Sequence, residues 1–209
     1  MQSTSAIDSK QEALNFINKY GFVTLFPIRG TNFSSLYQAT IGTREEKFKK
    51  AWQWADELSL GQKQIYYCKF IGRQVTLISM EMLPYFYRLF KRREFTGTSA
   101  EILALIKKRG AVSTTDLKKS LRLTGPDKRN EFSKAADLLQ KCFVIAIISK
   151  GEPPRHAHTW DLMENWMPEE ALKMAESIGE EVAKQKIVQK LLDNHVLSGP
   201  EDAEKFLGL

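Results

Sequence analysis

Apolar positions recur with a helical period at Ala13, Leu14, Phe16, Ile17 and Tyr20 within SKQEALNFINKY (9–20). Ser9 stands where an N-cap belongs, Glu12 three positions later completes a capping box, and Gly21 supplies the stop. FVTLFPIRG follows and is β-branched and aromatic. Pro27 limits it to a short edge strand or an extended segment, because proline cannot donate to a ladder. The pattern predicts a short helix over 34–41 and a longer one over 45–58, with Phe48, Ala51, Trp52 and Ala55 on one face. The period then changes to that of a strand. IYYCKF (65–70) and QVTLIS (74–79) flank Ile71-Gly72-Arg73, and two β-rich runs this close, with Gly between them, predict a hairpin. Residues 80–93 return to a helical pattern. Pro84 falls in the first turn, where a missing amide proton costs little, and the segment ends in the basic KRRE.

A second unit follows, with no long internal sequence repeat. Thr98 and Glu101 predict a capping box for a helix ending at Gly110, with Ile102, Leu103, Leu105 and Ile106 as its core face. Ser113 and Asp116 start the next helix, with Leu117 and Leu121 inward. Gly125-Pro126 breaks the chain, and a third helix covers about 128–141. FVIAIIS (143–149), the loop KGEPPR and HAHTWDL (156–162) form a second hairpin. Three helices followed by a two-stranded hairpin is the order of a winged helix. From Pro168 the chain is helical and acidic, with two helices either side of Gly179 and a capped final turn or two in SGPEDAEKFLGL. The expected fold class is mostly α with short β-hairpins (α+β): tandem winged-helix units plus C-terminal helices. The expected division is an N-terminal unit over 1–95, a winged-helix domain over 96–165 and an acidic helical segment over 166–209.

Composition changes this picture little. The 209 residues are 43% hydrophobic and 27% charged, ordinary for a globular chain. No apolar run approaches the roughly 18 residues of a membrane span, and residues 1–10 lack the order of a signal peptide. A cytoplasmic location is expected, associated with the nucleoid if the chain binds DNA. Cys68 and Cys142 each sit in an apolar run, so two buried thiols are expected, with a disulfide as the alternative.

Charge distribution changes it more. Residues 61–130 carry 15 Lys/Arg against 5 Asp/Glu, whereas residues 161–209 carry 5 against 11. A basic middle and an acidic end fit a chain that meets a polyanion with one face. The plainer reading is a solvated surface whose charges cluster. On the third helix of the second unit, Phe132, Ala135, Ala136 and Leu139, continued by Phe143, form a buried stripe. Asn130, Ser133, Lys134, Asp137 and Lys141 fall opposite, with Lys128 and Arg129 in the first turn. In helix-turn-helix folds this helix enters the major groove. Asn130 is the candidate base reader, since an Asn amide pairs bidentately with adenine. Lys134, Lys141, Lys118, Lys119 and Arg122 are candidates for phosphate contact. Lys69 and Arg73 decorate the first hairpin, Lys150 and Arg155 the second, and Lys91, Arg92 and Arg93 form a further basic cluster. Against these, Glu131 and Asp137 repel phosphate, and winged helices also dock proteins.

Catalytic signals are sparse. His156 and His158 share a strand face but no third metal ligand lies near, so no metal and no cofactor is expected. No phosphate loop, dinucleotide fingerprint, nucleophile elbow or paired-cysteine motif occurs. The adjacent glutamates at 45–46, 169–170 and 180–181 read as solvated helix faces.

The segments LFPIRG, SSLYQA, WQWADEL, QIYYCKF, TLISMEMLPYFY and FSKAADLLQKCFVI together resemble the AlkZ-related winged-helix DNA-binding proteins of prokaryotes, over about residues 9–165. The resemblance implies tandem winged helices around a DNA channel and kinship with DNA glycosylases that excise alkylated bases and unhook crosslinks. Those glycosylases carry a Gln-apolar-Gln motif in the N-terminal winged helix. The matching stretch here is Leu25-Phe26-Pro27-Ile28, without a polar side chain, and Gln62 and Gln64 lie elsewhere. Three readings follow: a DNA-binding protein of damage recognition or regulation, a glycosylase-like enzyme using Asp56 or Glu57, or a protein-docking module. Duplex DNA is the expected partner, with a homodimer through the C-terminal helices as a further expectation and no membrane.

Overall fold

A computed structural model describes residues 6–71, 74–91, 94–125, 128–151, 157–194 and 199–208, apart from the side chains of Arg129 and Pro200. The chain divides into two compact units. One comprises the chain up to Leu89 together with Ile178 onward, and the other Phe90–Ser177.

The first unit begins with α1 (Lys10–Tyr20). Ser9 Oγ accepts from the Glu12 amide, and the Glu12 carboxylate accepts in return from the Ser9 amide, the capping box expected from the sequence. β1 (Phe22–Thr24), α2 (Leu36–Ala39) and α3 (Arg44–Asp56) follow, and α3 runs on into a π-helical turn, Glu57–Gly61. A second capping box, between Thr43 and Glu46, opens α3. β2 (Ile65–Lys69) and β3 (Val75–Ser79) form the hairpin, and α4 (Leu83–Phe90) closes the set. The sheet is antiparallel with order β1-β3-β2, so the run before Pro27 is an edge strand. Residues 80–82 form a turn rather than helix, because the Ser79 carbonyl and hydroxyl both accept from the Met82 amide. The buried residues of α3 are Ala51, Trp54 and Ala55. Phe48, expected on that face, is 52% exposed.

The second unit contains α5 (Gly97–Arg109), β4 (Val112–Ser113), α6 (Thr114–Ser120), α7 (Arg129–Lys141), β5 (Ile145–Lys150), β6 (His158–Leu162), α8 (Met163–Trp166) and α9 (Glu169–Ser177). Its sheet, β4-β6-β5, is again antiparallel. Both units therefore follow helix–strand–helix–helix–strand–strand–helix with the central strand last, the winged-helix order. Ser113 caps α6 as expected, accepting from the Asp116 amide. Thr98 does not cap α5. The helix starts at Gly97 behind Thr96, and the Thr98 hydroxyl instead donates to the Glu131 carboxylate on α7. Ile102, Ile106, Leu117, Phe132, Ala136, Leu139 and Phe143 form the core. Trp160 Nε1 donates to Thr114 Oγ1 at 2.8 Å, and that hydroxyl donates to the His158 carbonyl, so the buried indole keeps a polar partner. Cys68 and Cys142 are buried and unbridged.

The last two helices, α10 (Glu180–Asp193) and α11 (Pro200–Leu207), belong to the first unit. Asn194 Nδ2 donates to the Tyr20 carbonyl at 2.8 Å, Lys186 lies over the Tyr85 ring, and Phe206 stacks on Phe33 with centroids 5.7 Å apart. Gly21 sits at φ +79°, where a Cβ would come within 2.9 Å of the Lys190 and Met82 side chains. Its lack of a side chain lets α10 approach the end of α1. No described helix is long and apolar enough to cross a membrane.

Two outcomes are expected. Leu191, 1% exposed on α10, is core of the first unit, so Leu191→Ala costs about 2–5 kcal/mol in urea unfolding; a cost near zero would detach α10 from that core. Glu12 and Glu46 lie below the usual carboxylate range because backbone amides, of Asp8 and Thr43 respectively, donate to them most strongly. Glu57 is lowered by the Gln53 amide and then by Lys10. A lowered folded-state pKa gives stability that is present above the unfolded value and lost as pH falls through the folded one. The melting temperature should therefore fall as the pH drops below the ordinary glutamate range, and Glu57→Gln should make that fall shallower.

Candidate nucleic-acid interface

Helix α7 is amphipathic, so burying one stripe presents the other to solvent. Asn130, Lys134 and Lys141 are exposed along that outer side, and Lys128 is exposed at the N-cap. Lys119 and Arg122 are exposed at the end of α6, and Lys118 lies half-buried with Nζ 5.0 Å from the centre of the Phe132 ring. That contact fixes the end of α6 beside the first turns of α7. Arg122 adopts φ +55°, the left-handed conformation that turns the chain out of α6.

A group that sequence reasoning missed adjoins these. Lys107, Lys108 and Arg109 fill the last turn of α5, and Arg109 Nη1 donates to Ser120 Oγ at 3.0 Å. The ends of α5 and α6 and the start of α7 are thus contiguous. The available signal was three successive cations before Gly110, which reads equally as ordinary helix-dipole complementarity. Lys10–Glu57, Lys50–Asp8, Arg88–Glu180 and Lys184–Glu204 form ion pairs in the first unit, and Lys91–Glu164 and Lys173–Glu169 in the second. The acids near the face have partners of their own. Ser113 Oγ donates to Asp116 at 2.7 Å, and Thr98 donates to Glu131.

The other candidates are dispersed. Lys91 pairs with Glu164 at 2.6 Å. Lys150 ends β5 opposite His158, and Lys69 ends β2 opposite Val75, equivalent places in the two sheets. Lys69 belongs to the first unit and the others to the second. Arg73, Arg92, Arg93, Arg155 and His156, and the Arg129 side chain, lie outside the described residues. His158 packs edge-on against Trp160 with centroids 5.7 Å apart. Among the described residues no group of three or more His, Cys, Asp or Glu is placed to hold a metal ion.

In the first unit, Leu25 is buried and Phe26 is the hub of a ring cluster. Its centroid lies 5.5 Å from Tyr37, 5.4 Å from Phe48 and 6.1 Å from Trp52. An open groove of about 590 Å³ is lined by Phe26, Tyr37, Arg44, Glu45 and Phe48. Gln62 and Gln64 are exposed beyond the π-helical turn. Glu57 accepts from Gln53 at 2.9 Å and pairs with Lys10 at 3.0 Å. A carboxylate held ionised in this way is a poor general acid and a weakened base. Burial, followed by the negative Asp56 nearby, pushes the Tyr67 phenol far above its ordinary range, so Tyr67 stays protonated.

A family model described as AlkZ related matches residues 7–208, whereas no curated protein and no solved structure matches the chain significantly. With the match spanning both winged-helix units and the C-terminal helices, the chain belongs to the AlkZ-related family.

Proposed function

We propose that this chain binds duplex DNA through its second unit. In this reading α7 enters the major groove and the ends of α5 and α6 meet the backbone. The observation that carries the proposal is the set of cations at the adjoining ends of α5 and α6 and along the start of α7, Lys107, Lys108, Lys118, Lys119, Arg122, Lys128 and Lys134, none held in an ion pair among the described residues. Cations without a fixed carboxylate are free to displace the counterions condensed on DNA, and release of those ions drives binding. Asn130 near the start of α7 occupies the position from which this fold reads base edges. Membership of a family related to AlkZ supports DNA as the partner.

The same membership favours a second reading, release of a damaged base. The pairing of Glu57 with Lys10 and Gln53 argues against that carboxylate as the acid or base, and the stretch 25–28 supplies no polar group. Binding without excision through these residues is therefore the favoured reading. Incubation with alkylated duplex is expected to release no free base. Release abolished by Asp56→Asn or Glu57→Gln would reverse the preference.

The binding test is a salt titration. The logarithm of the duplex affinity should fall linearly with the logarithm of salt concentration, and the triple variant Lys118→Ala, Lys119→Ala, Arg122→Ala should lower the slope by about 3. Asn130→Ala should relax discrimination at one base pair and leave the slope nearly unchanged. No binding to duplex at low salt would overturn the proposal.

A further inference from the structure

The groove of the first unit has a chemistry different from the basic face of the second. Its floor is aromatic, with Phe26, Tyr37 and Phe48 as lining rings and Trp52 behind Phe26. Phe48 is the notable member, since more than half of its surface faces solvent. Its ring is held at an interplanar angle of 22° to Phe26, so one face is supported while the other remains accessible. Two polar side chains complete the lining, the Arg44 guanidinium and the Glu45 carboxylate. Neither has a hydrogen-bond or ion-pair partner among the described residues. By contrast, the next residue, Glu46, is consumed by the capping box.

We propose that this groove holds an unpaired nucleobase by stacking on Phe48, making the first unit a site for single-stranded nucleic acid; the inference deepens the DNA-binding reading above and rests on it. Three features select that occupant. An aliphatic ligand would gain nothing from a donor and an acceptor side by side, whereas a base edge presents both. A planar ring matches an accessible, pre-supported aromatic face, and such stacking tolerates any base. The groove lies on α3, the third helix of its winged-helix unit, the counterpart of α7. The loop that supplies Phe26 joins β1 to α2, whereas in the second unit β4 runs directly into α6. The aromatic floor is thus an addition to the shared topology.

The consequence is a preference of the intact chain for duplex carrying unpaired nucleotides over fully paired duplex. The test compares the full-length protein on three probes: a blunt duplex, the same duplex with a short thymidine overhang, and the same duplex with an equally long abasic overhang. The abasic probe carries the same phosphates without bases, so it removes the electrostatic part of any gain. The thymidine overhang should improve affinity roughly fivefold or more over the abasic one. Phe48→Ala and Phe48→Leu should both abolish that gain while binding blunt duplex like the wild type, which also certifies their folding, and Phe48→Trp should retain it. Equal affinity for the thymidine and abasic probes would overturn the inference, as would a gain that survives in Phe48→Leu, which keeps apolar bulk without the ring. Binding of the thymidine overhang with no binding of blunt duplex would leave this inference standing and remove the reading of the second unit instead.

Discussion

A three-stranded sheet of short strands cannot bury enough apolar surface to stand alone, so each unit depends on helices packed against one face of it. In the second unit the decisive contact is the stripe Phe132, Ala135, Ala136 and Leu139 of α7, packed within a core that includes Ile102 and Ile106 of α5. Once that stripe is committed, the helical period leaves no choice for the remaining positions. Asn130, Lys134 and Lys141 must face outward. The candidate interface is therefore a by-product of core burial, and its chemistry was free to be set by residues that cost the fold little.

The first unit meets the same constraint with a different balance. Its third helix buries Ala51, Trp54 and Ala55, and its β1–α2 connection carries two aromatic side chains to different ring partners. Phe33 packs against Phe22 of β1 and stacks on the Phe206 ring of α11. Phe26 goes to the Tyr37, Phe48 and Trp52 rings. The acidic C-terminal helices thus help to complete the unit that opens the chain. The Asn194–Tyr20 hydrogen bond and the close approach at Gly21 tie the same ends together.

Much of this was legible from local pattern. The hairpins, the Ser9–Glu12 box, the Ser113 cap and the edge character of Phe22–Thr24 all follow from residues within a few positions of one another. What was hidden depends on partners distant in sequence. Val112–Ser113 is too short to show a strand period, and only its pairing with Thr159 and Trp160 makes it a strand. Thr98 carried a good capping signal, yet Glu131, far along the chain, competes for its hydroxyl. Periodicity grouped Phe48 with Ala51 and Ala55, but the loop bearing Phe26 places a ring beside it and leaves its other side open. Of the candidate site, the outer face of α7 could be read directly. The contribution of Lys107, Lys108 and Arg109 could not, since it arises from the Arg109–Ser120 contact between two helix ends.

The apolar stretch Leu25–Ile28 and the aromatic groove share one residue, Phe26. Phe26 is surrounded by three rings. A glutamine there would place an amide against aromatic faces, where each unmatched hydrogen-bonding group costs on the order of 1–3 kcal/mol. A polar catalytic side chain and this ring cluster therefore exclude one another at the same position. The two winged-helix units of this chain thus share one topology and differ in surface: exposed cations along α7, and an open aromatic groove beside α3.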